Sequence, residues 1–260
     1  MTAVSAGGWD VIVSPWHLDE HLPEFPAPAG PAETVGPPLT ADGRPGRMRQ
    51  LYAALADAAA RADRPLLLSG DCVSALGAVA GLQRRAGDLA VTWLDAHGDF
   101  NTPEITISGY LGGMPLAMLT GRAPELICGP LGMRPVSEDA AVLVDGRDLD
   151  PAEREALAAS RVRQVPAEPG AIEAVLRGLH EQPVYLHVDV DIIDGAELPG
   201  LRYPVSPGPG LGLVEDCLAG IMATADVAGA CIACTWSPGH LNQRPVITRL
   251  ARALGAQLTW

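Results

Sequence analysis

Short apolar runs alternate with stretches of helical period along the whole chain. Residues 9–14, 66–69, 89–94, 141–145, 161–165, 184–188 and 227–234 have the length and the Val, Ile and Leu content of strands, most of them buried on both faces. Between them, 47–62, 73–85, 151–160, 169–179, 213–224 and 245–255 carry helical spacing or strong helix formers, such as Leu51, Ala54, Leu55 and Ala58 in the first. A shorter helix is predicted over 114–120, with Pro115 in its first turn, and Asp150 ahead of Pro151 is a predicted N-cap. Two stretches, 22–46 and 195–212, are rich in Pro and Gly and predict long loops. The first is too long for a mere connection and is expected to cover something, such as the mouth of a site. Strands and helices in this alternation imply parallel βαβ units. The expected fold is α/β, a three-layer α/β/α domain over residues 1–260 with a mostly parallel sheet. The long irregular connections favour an open sheet over a closed barrel.

Three of the apolar runs end in ligand-type side chains. The first runs into Asp71 and Cys72, the second into Asp95, His97 and Asp99, the third into Asp189 and Asp191. Alternate residues of an extended chain project to one face, so Asp95, His97 and Asp99 can aim at one point. In open parallel sheets ligands bind beyond the carboxyl ends of the strands, which puts Cys72, Asp95, His97, Asp99, Asp189 and Asp191 on one rim. Carboxylates and an imidazole suit Mn, Fe, Zn or Mg, and so many acidic groups around one point would repel unless cations sat among them. His187, two residues before Asp189, falls on the same strand face and is expected to support the ligands from behind rather than to bind metal itself.

Composition narrows the partners. The chain has 260 residues and a formal net charge of −13, which leaves no basic footprint for nucleic acid or an anionic membrane. All 18 basic residues are Arg, so lysine chemistry such as Schiff bases or a P-loop is excluded. Five widely spaced Cys do not suggest a disulfide framework, and the pair Cys231 and Cys234 reads as core packing. There is no long apolar run for a membrane span and no signal-peptide pattern, so the cytoplasm is the default expectation.

From the strand that ends at Ser69 to Pro238 the chain resembles the ureohydrolase superfamily of arginases and agmatinases. The family's Gly-Gly-Asp-His stands here as Ser69, Gly70, Asp71 and Cys72; its Asp-Ala-His-x-Asp motif is intact at 95–99, and its Asp-x-Asp motif is Asp189 to Asp191. The resemblance implies an arginase-like fold and Mn(2+), one or two ions per chain, sharing a hydroxide. It implies that Cys72, Asp95, Asp99 and Asp189 ring one ion and Asp95, His97, Asp189 and Asp191 the other, with Asp99 also serving catalysis. Asn101, Thr106 and Ser108 match the family segment that binds a substrate α-carboxylate, and Asp150 and Glu153 the segment that holds its α-amino group. Helix capping competes for the last two.

Three positions depart from the arginase pattern. Cys72 replaces a ligand His, Gly112 stands where a proton-transferring His is found, and Thr235 stands where a Glu pairs with the guanidinium. The first two, with Tyr110 in the run to Gly113, resemble the branch that hydrolyses Nω-hydroxy-L-arginine to hydroxyurea and ornithine. The expected function is therefore a C–N hydrolase of an arginine-like amino acid, with Tyr110 lining the channel and His240 as a candidate replacement proton shuttle. A degenerate ureohydrolase with a binding or regulatory role, and a hydrolase of another linear amide or amidine, remain open alternatives, as does a homo-oligomer. Thiolate being soft, the ion touching Cys72 is expected to be Mn held weakly, and the His97 site to fill first.

Overall fold

A computed structural model describes residues 8–179, 182–233, 236, 237, 239, 240 and 243–260. Its centre is an eight-stranded sheet in the order β4-β1-β5-β10-β9-β6-β7-β8. The strands are β1 (Asp10–Ser14), β4 (Ala32–Thr34), β5 (Pro65–Ser69), β6 (Ala90–His97), β7 (Ala141–Asp148), β8 (Arg163–Val165), β9 (Val184–Asp189) and β10 (Val227–Ala233). Every neighbouring pair is parallel. A two-stranded antiparallel ribbon, β2 (Trp16–His17) with β3 (Glu20–His21), follows β1.

The central strands are buried on both faces, and the alternation of their side chains sorts the core into two layers. Leu67, Val91, Trp93, Leu143, Tyr185 and Cys231 face one side, with α1 (Gly43–Arg61), α2 (Ala75–Ala86), α3 (Pro115–Leu119) and α4 (Pro151–Ala158). Leu66, Leu68, Leu94, Val142, Leu186 and Ile232 face the other, with α5 (Pro169–Leu176), α6 (Leu211–Thr224) and α7 (Gln243–Ala253). Cys231 is buried in the first layer, as its apolar surroundings predicted, while Cys234 lies outside the described residues. Among the described residues no helix is long and apolar enough to cross a membrane.

The 22–46 stretch is not wholly loop. Its three-residue strand β4 pairs with β1 at the sheet edge, and α1 begins at Gly43. An edge strand needs pairing on one side only and can be short and polar, so Ala32, Glu33 and Thr34 give no alternating signal. β6 and β7 run three residues further than predicted, to His97 and Asp148, and so carry polar ligand-type residues within the ladder itself.

Candidate metal centre

The parallel sheet brings the ends of β5, β6 and β9 side by side, and the three acidic motifs meet there. Asp71, two residues after β5, is buried, and both its oxygens are spent on local geometry. One accepts from Leu18 N, the other from Ser74 N and Ser74 Oγ, each at 2.9 Å. The turn into α2 is thereby pinned, and Cys72 points inward: its Sγ donates to Asp189 Oδ2 at 2.6 Å. On β6, Trp93 Nε1 donates to Asp95 Oδ2 at 3.1 Å and His97 N to Asp95 Oδ1 at 2.7 Å, fixing that carboxylate from two sides. His97 Nδ1 lies 3.0 Å from Asp191 Oδ2 and 3.4 Å from Asp95 Oδ1, while its Nε2 is 3.9 Å from Asp148 Oδ2. Asp99 is buried in the left-handed region at φ 49°, a conformation Asp tolerates better than most residues.

The electrostatics are those of a site short of positive charge. Burial pushes Asp99 and Asp189 well above the usual carboxylate range, and neighbouring carboxylates add to the push. Burial and then Asp95 raise Asp191 to about 7, and burial and then Asp189 raise the Cys72 thiol. Burial also opposes charge on His97, but hydrogen bonds to Asp191 and Asp95 overcome it and lift its pKa to about 12. Burial likewise opposes ionisation of Asp95, yet His97 holds it below the ordinary value. His187 is different: fully buried, it is pushed down to about 3 and stays neutral.

These residues fit divalent cations. Two groups of three donors have their ligand atoms mutually within 4.8 Å, Asp95 with His97 and Asp191, and Asp95 with Cys72 and His187. Asp99 Oδ2 is buried without a hydrogen-bond partner, the condition of a ligand awaiting an ion. Ligation requires the deprotonated forms of Cys72, Asp191 and His97, so loading must expel protons. Affinity should accordingly rise as pH rises through about 7, where Asp191 loses its proton, and fall below it. Calorimetric titration with Mn(2+) or Zn(2+) in buffers of different ionisation enthalpy should show net proton release at neutral pH; uptake that is independent of buffer and pH would contradict this assignment.

The same rim opens into a cavity of about 200 Å³, lined by Cys72, His97, Asp99, Asp189 and Asp191 and also by Asn101, Ser108, Tyr110, Asp150 and Glu153. Asn101 Nδ2 is 3.5 Å from Asp150 Oδ2, and Asn101 Oδ1 is buried without a partner. Two expected substrate residues do structural work, Glu153 while also lining the cavity and Thr106 away from it. Glu153 is buried, with Oε1 accepting from Phe100 N at 2.8 Å and Oε2 from Asp150 N at 3.3 Å, so it braces the metal loop and caps α4. Thr106 does not line the cavity; its Oγ1 accepts from Gly109 N at 3.1 Å and holds the turn. His240 is not brought to the cavity either. The turn after Trp236, tied by Gly239 N to Glu24 Oε2 at 3.1 Å, carries it to a separate exposed depression with Glu24, Gln243 and Arg244. Thr235 lies outside the described residues.

Sequence reasoning missed Tyr203 and the anchoring role of His17. Tyr203 lines the cavity from the second Pro/Gly-rich stretch, where no periodicity marks it. His17 Nε2 lies 2.7 Å from Tyr110 Oη, and the two rings stack with centroids 5.9 Å apart. The Tyr110 ring fills the space that a side chain at 112 would take: a Cβ there would lie 2.3 Å from Tyr110 Cε1. Gly112→His alone should therefore displace Tyr110 and destabilise the protein by roughly 1–3 kcal/mol. Adding Tyr110→Asn should recover most of that loss, a coupling readable in a double-mutant cycle of thermal or urea unfolding.

Comparison with known proteins is consistent with this geometry. The sequence profile described as "Arginase family" matches residues 27–236. The N(omega)-hydroxy-L-arginine amidinohydrolase of Streptomyces lavendulae is 37% identical over 144 residues, 55% of this chain and 50% of that protein. An arginase of Staphylococcus aureus is 34% identical over 146 residues, 52% of this chain and 48% of that one. The matched segment thus spans about half the length of these curated relatives. Among solved structures, an arginase from Bacillus cereus superposes with a TM-score of 0.80 at 21% identity, covering 95% of this chain and 96% of that chain, a likeness of fold.

Proposed function

The chain belongs to the arginase family, and on that premise we propose that it is a metal-dependent amidinohydrolase that cleaves a C–N bond of an arginine-like amino acid, with Nω-hydroxy-L-arginine as its preferred substrate. The observation that carries the proposal is the meeting, in one cavity, of the acidic donors of three strand ends with Asn101, Ser108 and Asp150. The Asp95, His97 and Asp191 group would hold Mn(2+), and the Cys72 side the second ion. When bound, such ions neutralise the carboxylates and acidify a water toward a pKa of about 7.

The residues of the chain divide the remaining work. Asp150, beside Asn101, receives the substrate's α-amino group, and Asn101 and Ser108 receive its polar head. The guanidine end then points into the acidic cluster. Water adds to the guanidine carbon, the bond to the ornithine nitrogen breaks, and the products are ornithine and hydroxyurea. Asp99 would divide its carboxylate between two roles: Oδ2, buried and without a partner, would face an ion, and the other oxygen would take the proton of the attacking water and return it to the leaving nitrogen.

Thr235 and Gly112 support hydroxyarginine over arginine. A hydroxyl at 235 offers a cationic guanidinium no charge, and charge-assisted hydrogen bonds are roughly twice as strong as neutral ones. N-hydroxylation lowers the basicity of the guanidine, so that substrate loses less. Steady-state assays on the metal-loaded protein should give a larger kcat/KM for hydroxyarginine than for arginine. Thr235→Glu should narrow the gap by about tenfold, the equivalent of one strengthened hydrogen bond. A wild-type preference for arginine would overturn the reading of Thr235. No turnover of arginine, hydroxyarginine or agmatine would move the assignment to a non-guanidine substrate or to a binding role.

A further inference from the structure

We propose that His187 is a metal ligand of this chain, completing with Cys72 and Asp95 a thiolate–carboxylate–imidazole centre that takes zinc in preference to manganese. The inference concerns the metal alone and stands whether or not hydroxyarginine is the substrate.

Placement comes first. His187 lies in β9, in register with Trp93 of β6 on one side and Cys231 of β10 on the other. It shares the face of Asp189, two residues on, and so sits one step below the rim. From there a ring nitrogen lies within 4.8 Å of both the Cys72 thiol and an Asp95 carboxylate oxygen. The ring is stacked on Trp93 with centroids 3.6 Å apart and an interplanar angle of 14°, which fixes the direction of its nitrogens. Trp93 also orients Asp95 through its indole N–H, so one side chain sets two donors.

The second observation is an energetic debt. His187 has no exposed surface, and neither Nδ1 nor Nε2 has a hydrogen-bond partner. Leaving a buried polar group unpaired costs about 1–3 kcal/mol. An apolar residue on this strand face would avoid that cost. A coordinated ion uses the lone pair of one nitrogen and gives the imidazole a reason to be there.

The donor set then decides the ion. Beside the thiol stand one imidazole and two carboxylates, Asp95 and Asp189, the latter 2.6 Å from Cys72 Sγ. Thiolate and imidazole together suit zinc, whereas manganese favours oxygen donors and lies at the weak end of the affinity order. The second group, Asp95 with His97 and Asp191, lacks sulfur and keeps the harder character. The two groups share Asp95, so the chain is built for two unlike ions across one carboxylate.

The test is metal binding by the full chain after chelator treatment. Zinc should bind more tightly than manganese at the Cys72 side. Cobalt(II) there should give a thiolate-to-metal charge-transfer band that Cys72→Ser abolishes. His187→Phe keeps an aromatic ring against Trp93 and should lower zinc affinity about 100-fold or more, beyond the 10–100-fold typical of residues that merely support a ligand. It should also change the cobalt spectrum. Wild-type zinc affinity and an unchanged cobalt spectrum in His187→Phe would overturn the proposal. Should that variant fail to fold, X-ray absorption of wild-type protein with one zinc equivalent decides. Sulfur at about 2.3 Å with imidazole at about 2.0–2.1 Å on the same ion supports His187, and sulfur without imidazole refutes it.

Discussion

Replacing Asp95 with Asn is expected to lower kcat/KM by about 10³-fold or more and to strip both ions from the protein. Among the described residues Asp95 is the one common to the two donor groups, and it is almost completely buried. Loss of an outer residue that only supports a ligand costs about 10–100-fold in metal affinity or activity; loss of a ligand shared by two ions must exceed that. Asn is the informative replacement because its carbonyl can still accept one of the two bonds that hold Asp95, from Trp93 Nε1 or from His97 N. The other donor then meets an amide NH₂, at a cost of about 1–3 kcal/mol, which a protein of this size tolerates. Removing one charge from a cluster that burial has pushed toward protonation offsets part of that cost. The expected outcome is a folded, metal-poor, inactive protein, checked by elemental analysis, circular dichroism and assay on hydroxyarginine. Two ions retained after dialysis would mean that Asp95 is not a shared ligand.

The rim was legible in the sequence because one physical rule does two jobs. Parallel strands point the same way, so any residue just after an apolar run lands at the same end of the sheet. Cys72, Asp95, His97, Asp99, Asp189 and Asp191 could be gathered by that rule before any pairing was known, and Asn101, Ser108, Tyr110 and Asp150 follow them into the cavity. What periodicity cannot supply is which strands are neighbours. The adjacency of β9 to β6 sets His187 against Trp93, although the two are far apart in the chain. Without it, the approach of His187 to Cys72 cannot be read from the sequence. Glu153 is ambiguous for a different reason: a carboxylate three residues after an N-cap serves a helix start or a substrate equally well in sequence, and in the structure it both caps α4 and lines the cavity. His240 failed because a loop after a strand end is free to turn away, and Gly239 takes it toward Glu24.

Gly81→Ala should destabilise the protein by about 2–3 kcal/mol, although Ala is the better helix former by about 1 kcal/mol. Gly81 and Gly77, one turn apart in α2, face α1 where the two backbones come close. A Cβ at Gly81 would lie 2.3 Å from Ala56 O and 2.8 Å from Ala59 Cβ, and one at Gly77 would lie 2.8 Å from Tyr52 O. These are backbone atoms and a buried methyl carbon, not the ends of flexible side chains, so the helices must move apart. The clash outweighs the propensity gain, and the shift is not confined to the helix pair. α2 begins three residues after Cys72, and the turn between them is pinned by Asp71 to Leu18 and Ser74. Moving α2 outward therefore draws Cys72 away from Asp189 and should weaken zinc binding at that side, while the Asp95, His97 and Asp191 group on the neighbouring strand ends is spared. Thermal unfolding should show a midpoint lowered by about 5–10 °C, on the scale of 2–4 °C per kcal/mol for domains of this size. Gly212→Ala is the internal control. It lies in α6, where a Cβ meets nothing within 4 Å, so the propensity gain stands alone and the midpoint should hold or rise. Equal responses at 81 and 212 would show that α1 and α2 are not in the close contact that sets the position of Cys72.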